Sequence, residues 1–199
     1  MRFYQFLLTG LIVSCLGLTS CSSRSQVVSD TNSRQDVVNV IALLPIQNSV
    51  ADVQVSKMLR AKLSDELRFK GYPTLSTDLI DSKLMLLNGG KEPENIDAIS
   101  SKTIEQILGA DATMYCSLME SKTSSGIFYT PVTVSVRCEL RRASSGEMIW
   151  KAQNKSTGRS FDLIGIRLKM KSQGALESVL EEVVGKVMET LPYGPQLRG

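Results

Sequence analysis

Hydrophobic positions along this chain change their period several times, and each change marks an element. Val37-Val38-Asn39-Val40-Ile41-Ala42-Leu43-Leu44-Pro45-Ile46 is a nearly continuous apolar run with many β-branched side chains. That is the pattern of a short strand buried on both faces, with Pro45 marking its end. After a polar turn from Asn48 to Asp52, Val55, Met58, Leu59, Leu63 and Leu67 recur at helical spacing, and Glu66 and Lys70 stand four apart on the outer side. Gly71 occupies the position of a left-handed helix cap. Tyr72 to Ser76 then reads as a short strand, so strand, helix and strand together favour a parallel pair with a right-handed crossover. A second helix is predicted from Asp78 to Leu87, capped by Ser76 or Thr77 and ended by Asn88-Gly89-Gly90. The loop from Lys91 to Ile99 leads into a third, from Ser101 to Leu108, with Ile104, Ile107 and Leu108 inward and Gly109 at its end.

Strict alternation follows. Val132, Val134, Val136, Cys138 and Leu140 alternate with Thr133, Ser135, Arg137 and Glu139, which gives one core face and one wet face. The predicted partner strand is Met114 to Ser121, joined through the tip Ser124-Ser125-Gly126-Ile127-Phe128-Tyr129. Ser144-Ser145-Gly146 makes a hairpin turn into Glu147 to Asn154, where Met148, Trp150 and Ala152 share a face. The strongest helical stripe comes last: Leu176, Val179, Leu180, Val183, Val184, Val187, Met188 and Leu191, stopped by Pro192. Its other face carries Glu177, Glu181, Glu182, Lys186 and Glu189, an acidic balance that anionic lipid would repel, so this helix is expected on the sheet and not on a membrane. The elements assemble into one α/β domain, a mixed sheet with an antiparallel meander and flanking helices.

Ahead of the domain the pattern is different. A run of mostly apolar residues from Phe6 to Leu18 follows Arg2 and leads into Leu18-Thr19-Ser20-Cys21. The run is shorter than the roughly 20 residues a spanning helix needs, and small residues close it, which is the layout of a cleaved export signal. The cysteine makes it a lipoprotein signal, because the Cys21 thiol can carry a diacylglycerol and the amine freed by cleavage a third chain. Ser22 to Asp36 is polar, without aromatics or apolar period, and is expected to be a tether reaching about 20 Å on average. The expected layout is therefore a signal peptide at 1–20, a lipidated tether at 21–36 and the α/β domain at 37–199. Ser22 after the cysteine points to the outer membrane, facing the periplasm, by its resemblance to sorting practice.

Charged residues make up 22% of the chain and hydrophobic ones 42%, ordinary globular usage. The formal charge of +3 looks scattered, with Arg141-Arg142 and Lys169 to Lys171 as the densest spots, so a nucleic-acid partner is not expected. The chain has no histidine, which removes the usual general base and the commonest transition-metal ligand. No metal, cofactor or catalytic residue is expected. Gly89-Gly90 lacks a following lysine and Ser/Thr for a phosphate cradle, and Asp78, Asp81, Glu92, Glu94, Asp97 and Asp111 read as caps and loop charges.

Two pairs remain. A hairpin centred near Ile127 sets Cys116 opposite Cys138 on the apolar face, where an exported protein accommodates either a disulfide or two buried thiols. Phe128 and Tyr129 sit at a polar tip, where they either tuck back onto the core or form a small contact for another protein.

Several pieces, in order, carry a family resemblance: Leu44-Pro45 with Asn48, Lys70-Gly71-Tyr72, Gly109-Ala110-Asp111-Ala112, Gly146 with Trp150, and Tyr193-Gly194-Pro195. The chain resembles a family of bacterial lipoproteins of unknown function, found beside lipoproteins of the curli-secretion-channel type. It departs from that pattern between Trp150 and the last helix, where Ser160 to Gly174 is shorter than the expected glycine-rich insertion. The resemblance implies a fold similar to the amino-terminal domain of TolB, a membrane held through acyl chains on Cys21, an envelope protein partner, and no assigned catalytic residue. The expected role is a non-catalytic interaction or assembly subunit of an envelope complex, with a secretion-related setting. A regulator of cell-wall synthases is the alternative, borrowed from other lipoproteins with TolB-like domains, and an envelope hydrolase comes third. No oligomeric state is legible.

Overall fold

In the computed structural model, which describes residues 38–48, 53–91, 93, 95–124, 129–161 and 165–198, the apolar opening run is split into two strands. These are β1 (Ile41–Leu43) and β2 (Gln47–Asn48), separated at Pro45, whose ring nitrogen cannot donate to a ladder. Both lie parallel to β3 (Ala112–Thr123), with Ile41 opposite Ala112 and Gln47 opposite Ser117, so the register slips by one residue across the break. The meander continues through β4 (Tyr129–Arg142) and β5 (Met148–Phe161), both antiparallel, in the order β1-β3-β4-β5 with β2 beside β3. The strand expected over Tyr72 to Ser76 is reduced to one parallel bridge, Thr74 to Ile41. Pro73 has no N–H to extend it, and Ser76 is already the cap of the next helix.

Helices cover both faces of β1. The first, α1 (Val53–Phe69), and the last, α4 (Gly165–Met188), pack on the face carrying Ile41, Leu43, Met114, Val136 and Leu140. The other two, α2 (Thr77–Leu87) and α3 (Ser101–Leu108), pack with a 3-10 turn at Ile96–Ala98 against Ala42, Leu44 and Tyr115. Ile41 to Leu44 are therefore at most 1% exposed, as a two-sided apolar run requires. Each such side chain contributes on the order of 1.5–3 kcal/mol of burial. Ser76 accepts from Leu79 N at 3.2 Å and Ser100 from Thr103 N at 3.1 Å, which satisfies orphan donors at the starts of α2 and α3. Among the described residues no helix is long and apolar enough to cross a membrane.

Two elements outrun the hydrophobic pattern. β5 continues beyond Asn154 to Phe161, although Ser156 and Gly158 hold its inward positions. The reason is the approach of α4: a Cβ at Gly158 would stand 2.5 Å from Val179 Cγ2, so only a small residue fits. α4 in turn starts at Gly165, eleven residues before Leu176, so of the segment Ser160 to Gly174 the described residues belong to the end of β5 and the first turns of α4.

The remaining motif pieces are ties. Lys70, 7% exposed, donates from Nζ to the Leu191 carbonyl at 2.8 Å and the Glu189 carbonyl at 3.3 Å, serving the otherwise unpaired end of α4. Tyr72 donates its hydroxyl to the Pro192 carbonyl at 3.0 Å, and Gly194 N donates to the Lys70 carbonyl at 2.7 Å. Asp111 Oδ2 accepts from Asn39 N and Val40 N, both at 2.9 Å, and fixes the entry to β1.

Candidate functional site

At the carboxyl end of β1 a cleft of about 650 Å³ opens between β2, α1, α2 and the stretch around Asn95. This is the side of an α/β sheet where ligands commonly settle. Its charged side chains follow from edge chemistry. The Leu43 carbonyl needs a donor that no strand supplies, and Arg60, one residue past the inward Leu59, reaches it through Nη2 at 3.0 Å. Arg60 Nη1 donates to Asp81 Oδ2 at 2.7 Å, joining α1 to α2. Arg60 Nε and Asp81 Oδ1 are buried and find no partner among the described residues, which leaves one donor and one acceptor of the pair unspent. The described lining adds Ser56, Lys57, Asn95 and Ser117 but no histidine or cysteine, so the cleft is equipped to hold a polar ligand by hydrogen bonds. Among the described residues no group of three or more His, Cys, Asp or Glu could hold a metal ion.

A second surface is larger. The helices that cover the outer face of β1 stop at Tyr115, and the corresponding face of β4 and β5 is exposed or half-buried along its described length apart from Ser135, which is buried. The pairings Arg137 with Gln153, Glu139 with Lys151 and Ser135 with Lys155 place these residues on that one face, because directly opposed residues point the same way. Pro131 with Arg159, Thr133 with Lys122 and Thr113 with Arg141 extend it. Basic residues that look scattered along the sequence are thus gathered onto one plane. Strand pairing brings together every second residue of three strands, which a linear count of charge does not register.

Two carboxylates organise this plane. Glu139 accepts from Arg141 Nη2 at 2.7 Å and pairs with Lys151 Nζ at 2.9 Å. These contacts, the Arg141 hydrogen bond first, hold its carboxyl below the ordinary range while partial burial opposes them. Glu120 pairs with Lys155 at 2.7 Å and Lys122 at 3.4 Å, and its carboxyl is likewise lowered, chiefly by the Lys155 hydrogen bond. Arg141 also lies 4.6 Å over the Tyr115 ring, which holds it against the sheet. Arg142 points to the other face, 3.8 Å from Glu147, and the side chains of Lys169 and Lys171 lie outside the described residues.

Of the residues singled out in the sequence, Cys116 and Cys138 face each other in the β3–β4 register, joined as a disulfide and at most 1% exposed. Tyr129 opens β4 opposite Phe161, with its side chain outside the described residues. Phe128, Cys21, the leader at 1–20 and the tether at 21–36 lie outside them too. Sequence reasoning missed Arg60 and dismissed Asp81 as a loop charge. The available signal was an arginine directly beside the apolar stripe of α1, at a position turned partly inward.

Fold and surfaces define the class: a single α/β domain of the kind found in bacterial lipoproteins. Residues 30–192 match the family described as "Putative lipoprotein GNA1162-like", and the chain belongs to that family. It is 26% identical over 140 residues to the "Putative lipoprotein NMB1124/NMB1162" of Neisseria meningitidis serogroup B, a match covering 70% of this chain and 65% of that protein. The crystal structure of lipoprotein GNA1162 from Neisseria meningitidis superposes with a TM-score of 0.54 at 22% identity, covering 71% of this chain and 97% of that one. The PelC dodecamer from Paraburkholderia phytofirmans superposes with a TM-score of 0.51 at 16% identity, covering 78% and 89%.

Proposed function

We propose that this protein is a lipid-anchored, non-catalytic interaction or assembly subunit of a bacterial envelope complex. Acyl chains on Cys21 hold it at the periplasmic face of the outer membrane, residues 21–36 serve as its tether, and the α/β domain carries the contacts. The observation that carries this reading is the lipoprotein-family match over residues 30–192, in a chain whose Leu18-Thr19-Ser20-Cys21 stands just ahead of that stretch. The Cys116–Cys138 bond supports it, since a structural disulfide persists in an exported, oxidising compartment. PelC adds an instance of this fold serving as a repeated building block, being a dodecamer.

Metabolic labelling with palmitate in a Gram-negative host tests the anchor. The expected result is a labelled protein in the outer-membrane fraction, with label and membrane association both lost in Cys21→Ser. An unlabelled wild type would remove the anchor and with it this function. Crosslinking in intact cells tests the second half of the reading: a discrete crosslinked species, with a second copy or with another envelope protein, is required.

A further inference from the structure

We propose that the open face of β3, β4 and β5 is a docking surface for an anionic lipid bilayer, which it meets through phospholipid phosphates. The inference rests on the envelope anchorage proposed above and adds to it which face of the domain is turned to the membrane.

Charge carries the argument. Lys122, Arg137, Arg141, Lys151, Lys155 and Arg159 share this face with two carboxylates, Glu120 and Glu139. Six cations against two carboxylates leave a surplus of four positive charges on this face, more than the net +3 of the whole chain. Glu120 and Glu139 are lowered carboxyls engaged by their own neighbours, so they hold the cations in place without cancelling the excess. The side chains of Lys122, Lys151 and Lys155 remain 73%, 46% and 56% exposed, and Arg137 is bonded to the Gln153 amide at 2.9 and 3.0 Å, which aligns it without neutralising it.

Shape decides the kind of polyanion. Three adjacent strands make a surface about 10 Å across and about 27 Å long from Lys151 to Arg159. Thr133, Ser135, Gln153 and Thr157 lie between the charges, so the face offers hydrogen bonds beside them. So dense a set of charges fits a planar array of phosphates better than the centre of a protein interface, which is depleted in charge. Each basic side chain near an anionic leaflet contributes attraction that decays within a Debye length. A tether of about 15 residues would let the domain stand about 20 Å on average, and at most about 50 Å, from the lipid that holds Cys21, so the face meets phosphate at high effective concentration.

The test uses the full chain as Cys21→Ser, so that no acyl chain contributes, and measures sedimentation with vesicles of phosphatidylcholine alone or with 30 mol% phosphatidylglycerol. Binding is expected to the anionic vesicles, to fall about tenfold or more when Arg137, Lys151 and Lys155 are all changed to Gln, and to vanish in high salt. Equal binding to both vesicle types, or undiminished binding by the triple variant, overturns the proposal. It is also overturned if the triple variant loses a crosslinked protein in cells while the parent chain ignores anionic vesicles, since the polyanion is then an acidic protein. Should the triple variant not fold, the salt titration of the parent decides. Failure here leaves palmitate on Cys21 untouched, so the two readings fall separately.

Discussion

Gly194 shows how much can rest on a missing methyl group. A Cβ there would come closer than van der Waals contact to the Gly71 carbonyl and 2.8 Å from the Tyr72 ring, at the point where the last segment crosses the exit of α1. Neither neighbour can retreat cheaply: one is backbone and the other is 3% exposed. Gly194→Ala is expected to cost about 1–3 kcal/mol, read as a lowered midpoint of thermal or urea unfolding. An unchanged midpoint would mean that this crossing carries no strain. Glu139 belongs to the same scale but acts through charge. Its carboxyl titrates lower in the folded protein than in the unfolded chain, so its contribution is present above the ordinary value of 4.5 and is lost as pH falls through the folded one. Glu139→Gln is accordingly expected to flatten the acid side of the stability profile, below the ordinary carboxylate range, and parallel profiles for the two proteins would count against it.

At the scale of elements, legibility followed the alternation of apolar and polar residues. α3 ends and begins where its cap residues and stripe place it, and the Cys116–Cys138 register follows from centring the tip. Two failures have the same physical root. The far half of β5 is lined inward by Ser156 and Gly158 because α4 comes too close for larger side chains, so the very packing that makes it a core strand erased its hydrophobic signal. The short strand at Tyr72 to Ser76 looked sufficient locally but is a single bridge, since proline and an adjoining helix cap left it no ladder. The disulfide spans 22 residues of chain across the centre of the meander. Closing a loop of that size restricts the unfolded chain, so replacing both cysteines by alanine is expected to lower stability by about 3 kcal/mol. Thiol titration of the native protein should find neither sulfur reactive before reduction, and two free thiols would place the pair in its reduced form.

For the whole molecule, the sequence made the fold class and the family resemblance readable, while the cleft and the cationic plane were not. Both arise from residues far apart in the chain: Arg60 meets Asp81 across two helices, and Glu120 meets Lys155 across three strands. Composition averages such arrangements away, which is why a modest net charge concealed a concentrated one.

The parallel pairing of β1 with β3 has a consequence for how the protein comes into being. Ile41 is synthesised 71 residues before Ala112, the residue it lies against. At about 5–20 residues per second, the oldest strand waits on the order of several seconds for its companion, whereas the three strands of the meander find one another as they emerge. The most apolar stretch of the domain is therefore the first of its strands to be made and the one that waits longest for a partner.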